Sequence, residues 1–191
     1  MKLLMFAASL RKDSFNKKLI KTAENIVKEL NVTPHLIDYA ELKAPIYNYD
    51  DEVGIGYPAE IKHFEKLLLE SDGLVISSPE YNFTTPGTLK NLIDWTSRLN
   101  PTPLKNYPVL LMSASPAMAG GNRGLWNTRI PFEYCNAFVY PGMFSLSMAD
   151  KAFNEQAQLH DENLHKRLKQ NIADFIPYAT ALKNLRPGAA K

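Results

Sequence analysis

Cysteine is almost absent from this chain of 191 residues, since Cys135 is the single one. One thiol cannot form a disulfide within the chain, which is typical of proteins that fold in a reducing compartment. The apolar N-terminal stretch ends at Arg11 and Lys12, and no signal-peptide cleavage site follows it. We therefore expect a cytoplasmic protein.

An excess of one charge is also missing. Lys and Arg number 22 while Asp and Glu number 20, so the net charge is +2. Proteins whose main partner is nucleic acid or an acidic membrane surface carry a larger basic excess. No run approaches the roughly 18 apolar residues of a membrane span. The composition argues against nucleic acid and membrane as partners, and its 45% hydrophobic residues predict a folded globular chain.

Several chemical signatures are absent as well. Neither G-x-G-x-x-G nor G-x-x-x-x-G-K-[ST] follows the first apolar run, which argues against a Rossmann dehydrogenase and a P-loop nucleotide triphosphatase. The four histidines have no metal-ligand spacing with the cysteine, so no metal site is predicted. No nucleophile triad or paired-carboxylate signature is visible.

Short apolar runs alternate with longer amphipathic segments. The runs predict five buried strands, at residues 2–8, 34–39, 73–78, 109–113 and within 137–147. The amphipathic segments predict five helices, at residues 15–30, 59–71, 88–99, 121–134 and 164–182. Pro131 is a candidate break in the fourth helix, and residues 42–57 are expected to form a loop.

This alternation is typical of an α/β fold with a parallel sheet. Five strands favour the flavodoxin-like order 2-1-3-4-5 over the six-stranded dinucleotide fold. We expect a three-layer sandwich with helices on both faces, one domain over residues 1–185 and a loose tail at 186–191. Ligands bind at the carboxyl ends of such strands, so the loops after strands one, three and four should carry the chemistry.

The first of these loops has the composition of an anion site. Ser9, Ser14 and Asn16 offer neutral donors and Arg11 offers a planar cation, where a strand leads into a helix N-terminus. The alternative is an ordinary helix cap with Arg11 in solvent. A phosphate bound without a glycine fingerprint favours a mononucleotide such as FMN.

The other two loops are weaker signals by themselves. In the loop after strand three, Tyr81 is placed to lie beside a flat ring and Asn82 to bond its heteroatoms, although an ordinary turn uses the same residue types. The loop after strand four has small residues and the pair Gly120 and Gly121, which let backbone approach a ligand closely. Paired glycines are also common in plain turns.

In this order, the three loops resemble the NADPH-dependent FMN reductase family of flavodoxin-like proteins, which includes quinone, chromate and azo-dye reductases. The motifs that carry the resemblance are Ser9-Leu10-Arg11, Ser14-Phe15-Asn16, Pro79-Glu80-Tyr81-Asn82, Pro86-Gly87, Leu89-Lys90-Asn91, Ile93-Asp94-Trp95, Ser97-Arg98, Ser113-Ala114-Ser115-Pro116 and Gly120-Gly121.

The resemblance implies a role for each loop. The FMN phosphate would be held by Ser9, Arg11, Ser14, Phe15 and Asn16. The ribityl chain and ring edge would contact Pro79, Glu80, Tyr81 and Asn82. The ring would be approached by Ser113, Ala114 and Ser115, with Gly120 and Gly121 on the nicotinamide side. One departure is Ala8, where the family commonly has glycine, because alanine is unfavourable at a positive φ.

The resemblance also implies a function. Hydride from NADPH or NADH would pass through flavin N5 to a small-molecule acceptor, namely a quinone, an azo compound, chromate or free flavin, in ping-pong fashion. No catalytic side chain is expected, because the chemistry belongs to FMN. Arg123 and Lys12 are candidates for contacting the 2′-phosphate of NADPH. The alternative is an FMN electron carrier serving a partner redox protein, although such carriers tend to be acidic.

Members of the family form oligomers, so a homodimer or homotetramer is expected through residues 89–98. Trp95 and Tyr81 are candidates for that surface, with the alternative that Trp95 lies in the core of a single chain. Glu80 and Arg98 would either pair across it or form an exposed salt bridge.

Overall fold

A parallel β-sheet lies at the centre of the computed structural model, which describes residues 1–185. In chain order, strands β1 to β6 are Lys2–Ala7, Thr33–Leu36, Gly73–Ser77, Pro108–Ala114, Phe138–Val139 and Phe144–Leu146. The sheet order is β2-β1-β3-β4-β5, and β6 also pairs with β4. This confirms the predicted fold class and strand order.

Helices cover both faces of the sheet. The α-helices α1 to α7 are Phe15–Glu29, Tyr49–Gly54, Ala59–Leu69, Gly87–Ser97, Asn122–Tyr134, Ala149–Ala152 and Glu162–Leu182. Short 3-10 turns lie at Tyr39–Leu42 and Lys183–Leu185. Within residues 1–185, no helix is long and apolar enough to cross a membrane.

Two hydrophobic cores form because successive strand residues point to opposite faces. In β1, Leu4 and Phe6 pack with α3, α4 and α5, while Leu3 and Met5 pack with α1 and α7. All these side chains are fully buried, and so are those of β3 and β4. Strands buried on both faces explain why the sequence shows continuous apolar runs there.

The predicted fifth strand is two short strands. β5 pairs with the start of β4, through Val139 beside Val109, and β6 pairs with its end, through Leu146 beside Ala114. Pro141 lies between them and has no N–H to donate to β4. The edge of the sheet is therefore interrupted at this proline.

Two further expectations differ from the structure. The segment predicted as a loop at 42–57 contains α2, whose N-cap Asn48 accepts the N–H of Asp50. α5 continues past Pro131 to Tyr134, so the proline does not end the helix. The single domain over 1–185 stays a prediction, and the expected tail at 186–191 lies outside the described residues.

Candidate active site

Three loops meet at the carboxyl ends of β1, β3 and β4, and Asn16 joins them. Its side-chain Nδ2 donates to the carbonyl of Ala114 at 3.0 Å. Its Oδ1 accepts from the N–H of Ala114 and from the hydroxyl of Ser77, both at 2.9 Å. Asn16 is buried. Its side chain therefore connects the start of α1 to the ends of two neighbouring strands.

The loop between β1 and α1 has backbone N–H groups that are free to bind a ligand. Ser14 caps α1, with its Oγ accepting the N–H of Asn16 at 3.2 Å. The N–H groups of Arg11, Lys12, Asp13 and Phe15 have no hydrogen-bond partner among residues 1–185. Such free N–H groups at a helix N-terminus, with hydroxyls and cations beside them, have the chemistry that a phosphate needs.

The side chains of this loop are also compatible with a phosphate site. The guanidinium carbon of Arg11 lies 5.7 Å from the ring centroid of Phe15, and Arg11 has no ion pair with any described carboxylate. Ser9 is buried at the base of the loop. Ala8 is not in the left-handed region, and its N–H donates to the carbonyl of Ser77 at 2.9 Å. Alanine in place of the family's glycine therefore introduces no backbone strain.

The loop after β3 contains a tight turn. Tyr81 and Thr84 exchange backbone hydrogen bonds of 3.1 and 3.0 Å. The two residues between them, Asn82 and Phe83, have φ of 51° and 66°. Left-handed φ at both central positions is typical of a type I′ turn, which glycine and asparagine favour. Tyr81 is 50% exposed and Phe83 60% exposed, so the turn presents two aromatic rings.

Glu80 faces α5. Its Oε2 accepts the N–H of Gly124 at 2.8 Å, which satisfies one of the free donors in the first turn of α5. A Cβ at position 124 would lie 2.9 Å from the Cβ of Glu80, so glycine allows this close approach. The carboxylate of Glu80 thereby connects the second loop to the helix that follows the third.

The glycines of the third loop approach the protein itself. Gly120 and Gly121 have φ of 60° and 82°. A Cβ at 120 would lie 2.8 Å from the backbone of Leu146, and one at 121 would overlap the hydroxyl oxygen of Ser113. The sequence suggested close approach to a ligand, whereas the structure shows close approach to β4 and β6.

The start of this loop, at Ser113 and Ala114, is buried, whereas Pro116, Ala117 and Met118 are exposed. The Ser113 hydroxyl has no hydrogen-bond partner among the described residues. Ser115 donates its N–H to the carbonyl of Leu146, and its Oγ accepts from Ala117. The three side chains of this loop that were assigned to the ring are therefore either buried or bonded within the chain.

Trp95 is 1% exposed, so the prediction that it contributes to an intersubunit surface is wrong. Its indole N–H donates to the carbonyl of Pro45 at 2.9 Å, and its ring meets that of Tyr47 edge to face. A loop from another part of the chain therefore covers it. Within 89–98, the exposed side is polar and includes the ion pair between Lys90 and Asp94.

Arg98 pairs within the chain. Its Nε donates to Oε2 of Glu52 at 2.9 Å, and the hydroxyl of Tyr47 donates to the same oxygen at 2.8 Å. The hydrogen bond from Arg98 holds the pKa of the Glu52 carboxyl below its usual range. The same carboxylate raises the pKa of Tyr47, which must keep its proton to donate. Because Glu80 is bonded to Gly124, both members of the expected Glu80–Arg98 pair have other partners.

The sequence analysis named Arg123 but missed two residues that contact it, Phe83 and Asn127. The guanidinium carbon of Arg123 lies 4.3 Å from the ring centroid of Phe83, and Nδ2 of Asn127 donates to the carbonyl of Phe83 at 3.0 Å. The Asn-Phe pair within the turn was an available signal for left-handed backbone, but its contact with α5 was not.

Comparison with known proteins agrees with this architecture. The sequence model of the family described as NADPH-dependent FMN reductase matches residues 1–151. The chain is 35% identical to a quinone reductase of Escherichia coli strain K12, over 92% of this chain and 93% of that protein. It is 31% identical to an NADPH:quinone oxidoreductase of Arabidopsis thaliana, over 93% and 91%.

A solved structure shows the same fold. The flavoenzyme NAD(P)H:(acceptor) oxidoreductase of Paracoccus denitrificans superimposes with a TM-score of 0.80 at 24% identity, covering 94% of this chain and 97% of that one. The match of the family model over most of the chain, together with these relatives, settles its family. The chain belongs to the NADPH-dependent FMN reductase family, and it is an NAD(P)H-dependent oxidoreductase that uses FMN.

Proposed function

We propose that this protein passes hydride from NADPH or NADH to quinones, with FMN bound at the carboxyl edge of the sheet. The observation that carries the proposal is the open loop between β1 and α1. Its free N–H groups, the hydroxyls of Ser9 and Ser14 and the charge of Arg11 form a donor set for a phosphate. FMN, when bound, supplies the hydride chemistry.

The residues of the chain bind and orient. Phe15 and Asn16 complete the phosphate loop, with Asn16 acting through its bonds to β3 and β4. Further contacts with the cofactor are proposed from the two later loops, at Pro79, Glu80, Tyr81, Asn82, Ser113, Ala114, Ser115, Gly120 and Gly121. Glu80 acts by holding α5 in place, because its carboxylate is bonded to Gly124.

The overall reaction consumes one proton from solvent. NAD(P)H, a proton and a quinone give NAD(P)+ and a hydroquinone, so two electrons and two hydrogens reach the acceptor. No side chain is required as acid or base. We propose ping-pong use of one open site, which also admits azo compounds, chromate and free flavin. The names of the relatives, quinone reductase and NADPH:quinone oxidoreductase, support quinones as the main class.

The assembly and location are proposals too. We propose a cytoplasmic homodimer or homotetramer in which residues 89–98 contribute polar contacts, since the exposed side of this segment carries Lys90 and Asp94. Sedimentation equilibrium measures the mass, and substituting both residues by alanine should weaken the assembly. A protein that sediments as a monomer at micromolar concentration would remove this part of the proposal.

The test of the reaction is an anaerobic titration of the FMN-loaded protein with NADPH, followed through the visible absorbance of the flavin. We expect full bleaching by one equivalent and recovery when a quinone is added. Flavin that binds but is not bleached would indicate an electron carrier serving a partner protein. A protein that binds no flavin would refute both. Repeating the titration with NADH ranks the two donors.

A further inference from the structure

An arginine without an acidic partner lies against an exposed aromatic ring at the edge where the three loops meet. Arg123 is the second residue of α5, and its guanidinium carbon is 4.3 Å from the ring centroid of Phe83. None of the ion pairs among residues 1–185 involves Arg123. Glu80, the acidic residue of the adjoining loop, is bonded instead to the N–H of Gly124. The charge of Arg123 is therefore available to a ligand.

The aromatic ring is held in place although it is not buried. Phe83 has a φ of 66°, which is unfavourable for a bulky side chain. Its carbonyl accepts from Asn127, and the turn that carries it is closed by the two bonds between Tyr81 and Thr84. The fold alone would be served as well by asparagine or glycine at this position. An exposed aromatic residue at an unfavourable φ, fixed from two sides, indicates a functional use for the ring.

Both partners lie close in sequence to residues assigned to FMN. Phe83 comes two residues after Tyr81, and Arg123 comes two residues after Gly121. The bond between Glu80 and Gly124 joins the two loops beside them. A ligand at this pair would therefore adjoin the proposed cofactor site, where an electron acceptor must bind.

We propose that the pair of Phe83 and Arg123 selects planar acceptors that carry an anionic group, such as quinone sulfonates or hydroxyquinones ionised at neutral pH. The acceptor ring contacts Phe83, and its anionic oxygens accept N–H donors from Arg123. This inference rests on the proposed function. The acceptor receives the equivalent of a hydride, two electrons and one proton, which originates from NAD(P)H. It takes a second proton from solvent and becomes the hydroquinone.

The 2′-phosphate end of NADPH presents similar chemistry, an aromatic base beside an anionic group. The experiment therefore isolates the acceptor step. Protein loaded with FMN is reduced by dithionite in the absence of any nicotinamide and mixed in a stopped-flow instrument with 1,4-naphthoquinone-2-sulfonate or with neutral 1,4-naphthoquinone. Each variant is compared with the unsubstituted protein on the same acceptor, so differences in driving force between the acceptors cancel.

Arg123→Gln is the principal variant. We expect it to lower the second-order rate constant for the sulfonate by about tenfold or more, as for loss of a hydrogen bond to a charged group, and to leave the neutral quinone nearly unchanged. Phe83→Asn keeps a residue that tolerates the left-handed region and should slow both acceptors. Arg167→Gln is the matched control, because Arg167 lies 4.7 Å over the ring of Phe144 on another part of the sheet. It should affect neither acceptor.

Equal slowing of both acceptors by Arg123→Gln, or no slowing of either, would overturn the proposal. So would a variant that changes only the preference for NADPH over NADH in the reductive step, since the pair would then serve the donor.

If Arg123→Gln does not retain FMN, the proposal is tested instead by the salt dependence of the unsubstituted protein. The rate for the sulfonate should fall with ionic strength and that for the neutral quinone should not. Failure of NADPH to bleach the flavin would refute the proposed function alone, because dithionite bypasses that step.

Discussion

Two regions at the same edge of the sheet use similar residues in opposite ways. In the loop between β1 and α1, several backbone N–H groups have no hydrogen-bond partner among the described residues, and the guanidinium of Arg11 contacts only the ring of Phe15 and has no ion pair there. At the junction of the second loop with α5, Glu80 is bonded to Gly124, and Gly121 packs on Ser113. The first region has groups to offer a ligand, while these groups of the second are in contact with one another.

The difference lies in burial and in partners, because the polar residue types are similar. Serine, asparagine and charged side chains occur in both regions. A buried polar group without a partner is costly, so a folded chain satisfies such groups internally. Those that stay open lie where a ligand can complete them. This comparison predicts which substitutions will unfold the protein and which will only release the cofactor.

The largest effect is expected at the junction. Gly121→Ala places a Cβ on the Ser113 hydroxyl at a φ of 82°, so both the contact and the backbone are strained. We expect the free energy of unfolding in urea to fall by about 4 kcal/mol. Gly87→Ala is the control, since a Cβ there meets nothing within 4 Å. Equal losses of unfolding free energy in the two variants would contradict the distinction between the two regions.

Asn16→Ala should have the next largest effect. It removes the partner of the Ser77 hydroxyl and of both backbone groups of Ala114. We expect a loss of about 3 kcal/mol in unfolding free energy, because buried polar groups are left unpaired. Asn25→Ala, an exposed change in the same helix, should be neutral or slightly stabilising. A neutral Asn16→Ala would show that the amide is not part of the framework.

Arg11→Gln probes the open region. Unfolding of the protein without FMN should be unchanged, because Arg11 has no ion pair among residues 1–185. FMN affinity should fall about 10- to 100-fold, as for loss of a hydrogen bond to a charged phosphate. Quenching of flavin fluorescence measures the affinity, with Arg167→Gln as the matched arginine substitution. A drop in stability with unchanged affinity would place Arg11 in the framework instead.

The smallest effect concerns acid stability outside both regions. The hydrogen bond from Arg98 lowers the pKa of Glu52 in the folded state. The pair therefore stabilises the protein above the pKa of glutamate in the unfolded chain, which is near 4.3. This stabilisation is lost as the pH falls through the lower pKa of the folded state. Urea unfolding of Arg98→Gln should therefore show a small deficit at pH 7 that disappears toward pH 3. A deficit that persists at pH 3 would mean that Arg98 acts by packing rather than through the carboxylate.

The fold was largely predictable because its signal is local. Buried runs such as β3 and β4 appear directly in the sequence, and their alternation with amphipathic helices fixes a parallel sheet. The interruption of the edge strand was not predicted, although Pro141 within the apolar run was an available signal for it. The helix α2 was not, because Asn48 and its acidic first turn resemble a polar loop.

The meeting of the three loops was predictable, but the partners of each residue within them were not. The carboxyl ends of the strands were identified, yet the partners of Asn16 lie 61 and 98 residues away along the chain. Spacing within a motif does not show which side chains face inward. The burial of Trp95 depends in the same way on the carbonyl of Pro45, 50 residues before it.

The amide of Asn16 also sets an order of events during synthesis. The loop proposed to hold phosphate is among the first segments to leave the ribosome, but the amide acquires its last partner only when Ala114, 98 residues later, has been made and β4 has joined the sheet. A nascent chain that ends before that strand has the sequence of the loop without its shape. Capture of FMN would therefore report completion of the central sheet, and cofactor would stabilise only those chains that have reached it.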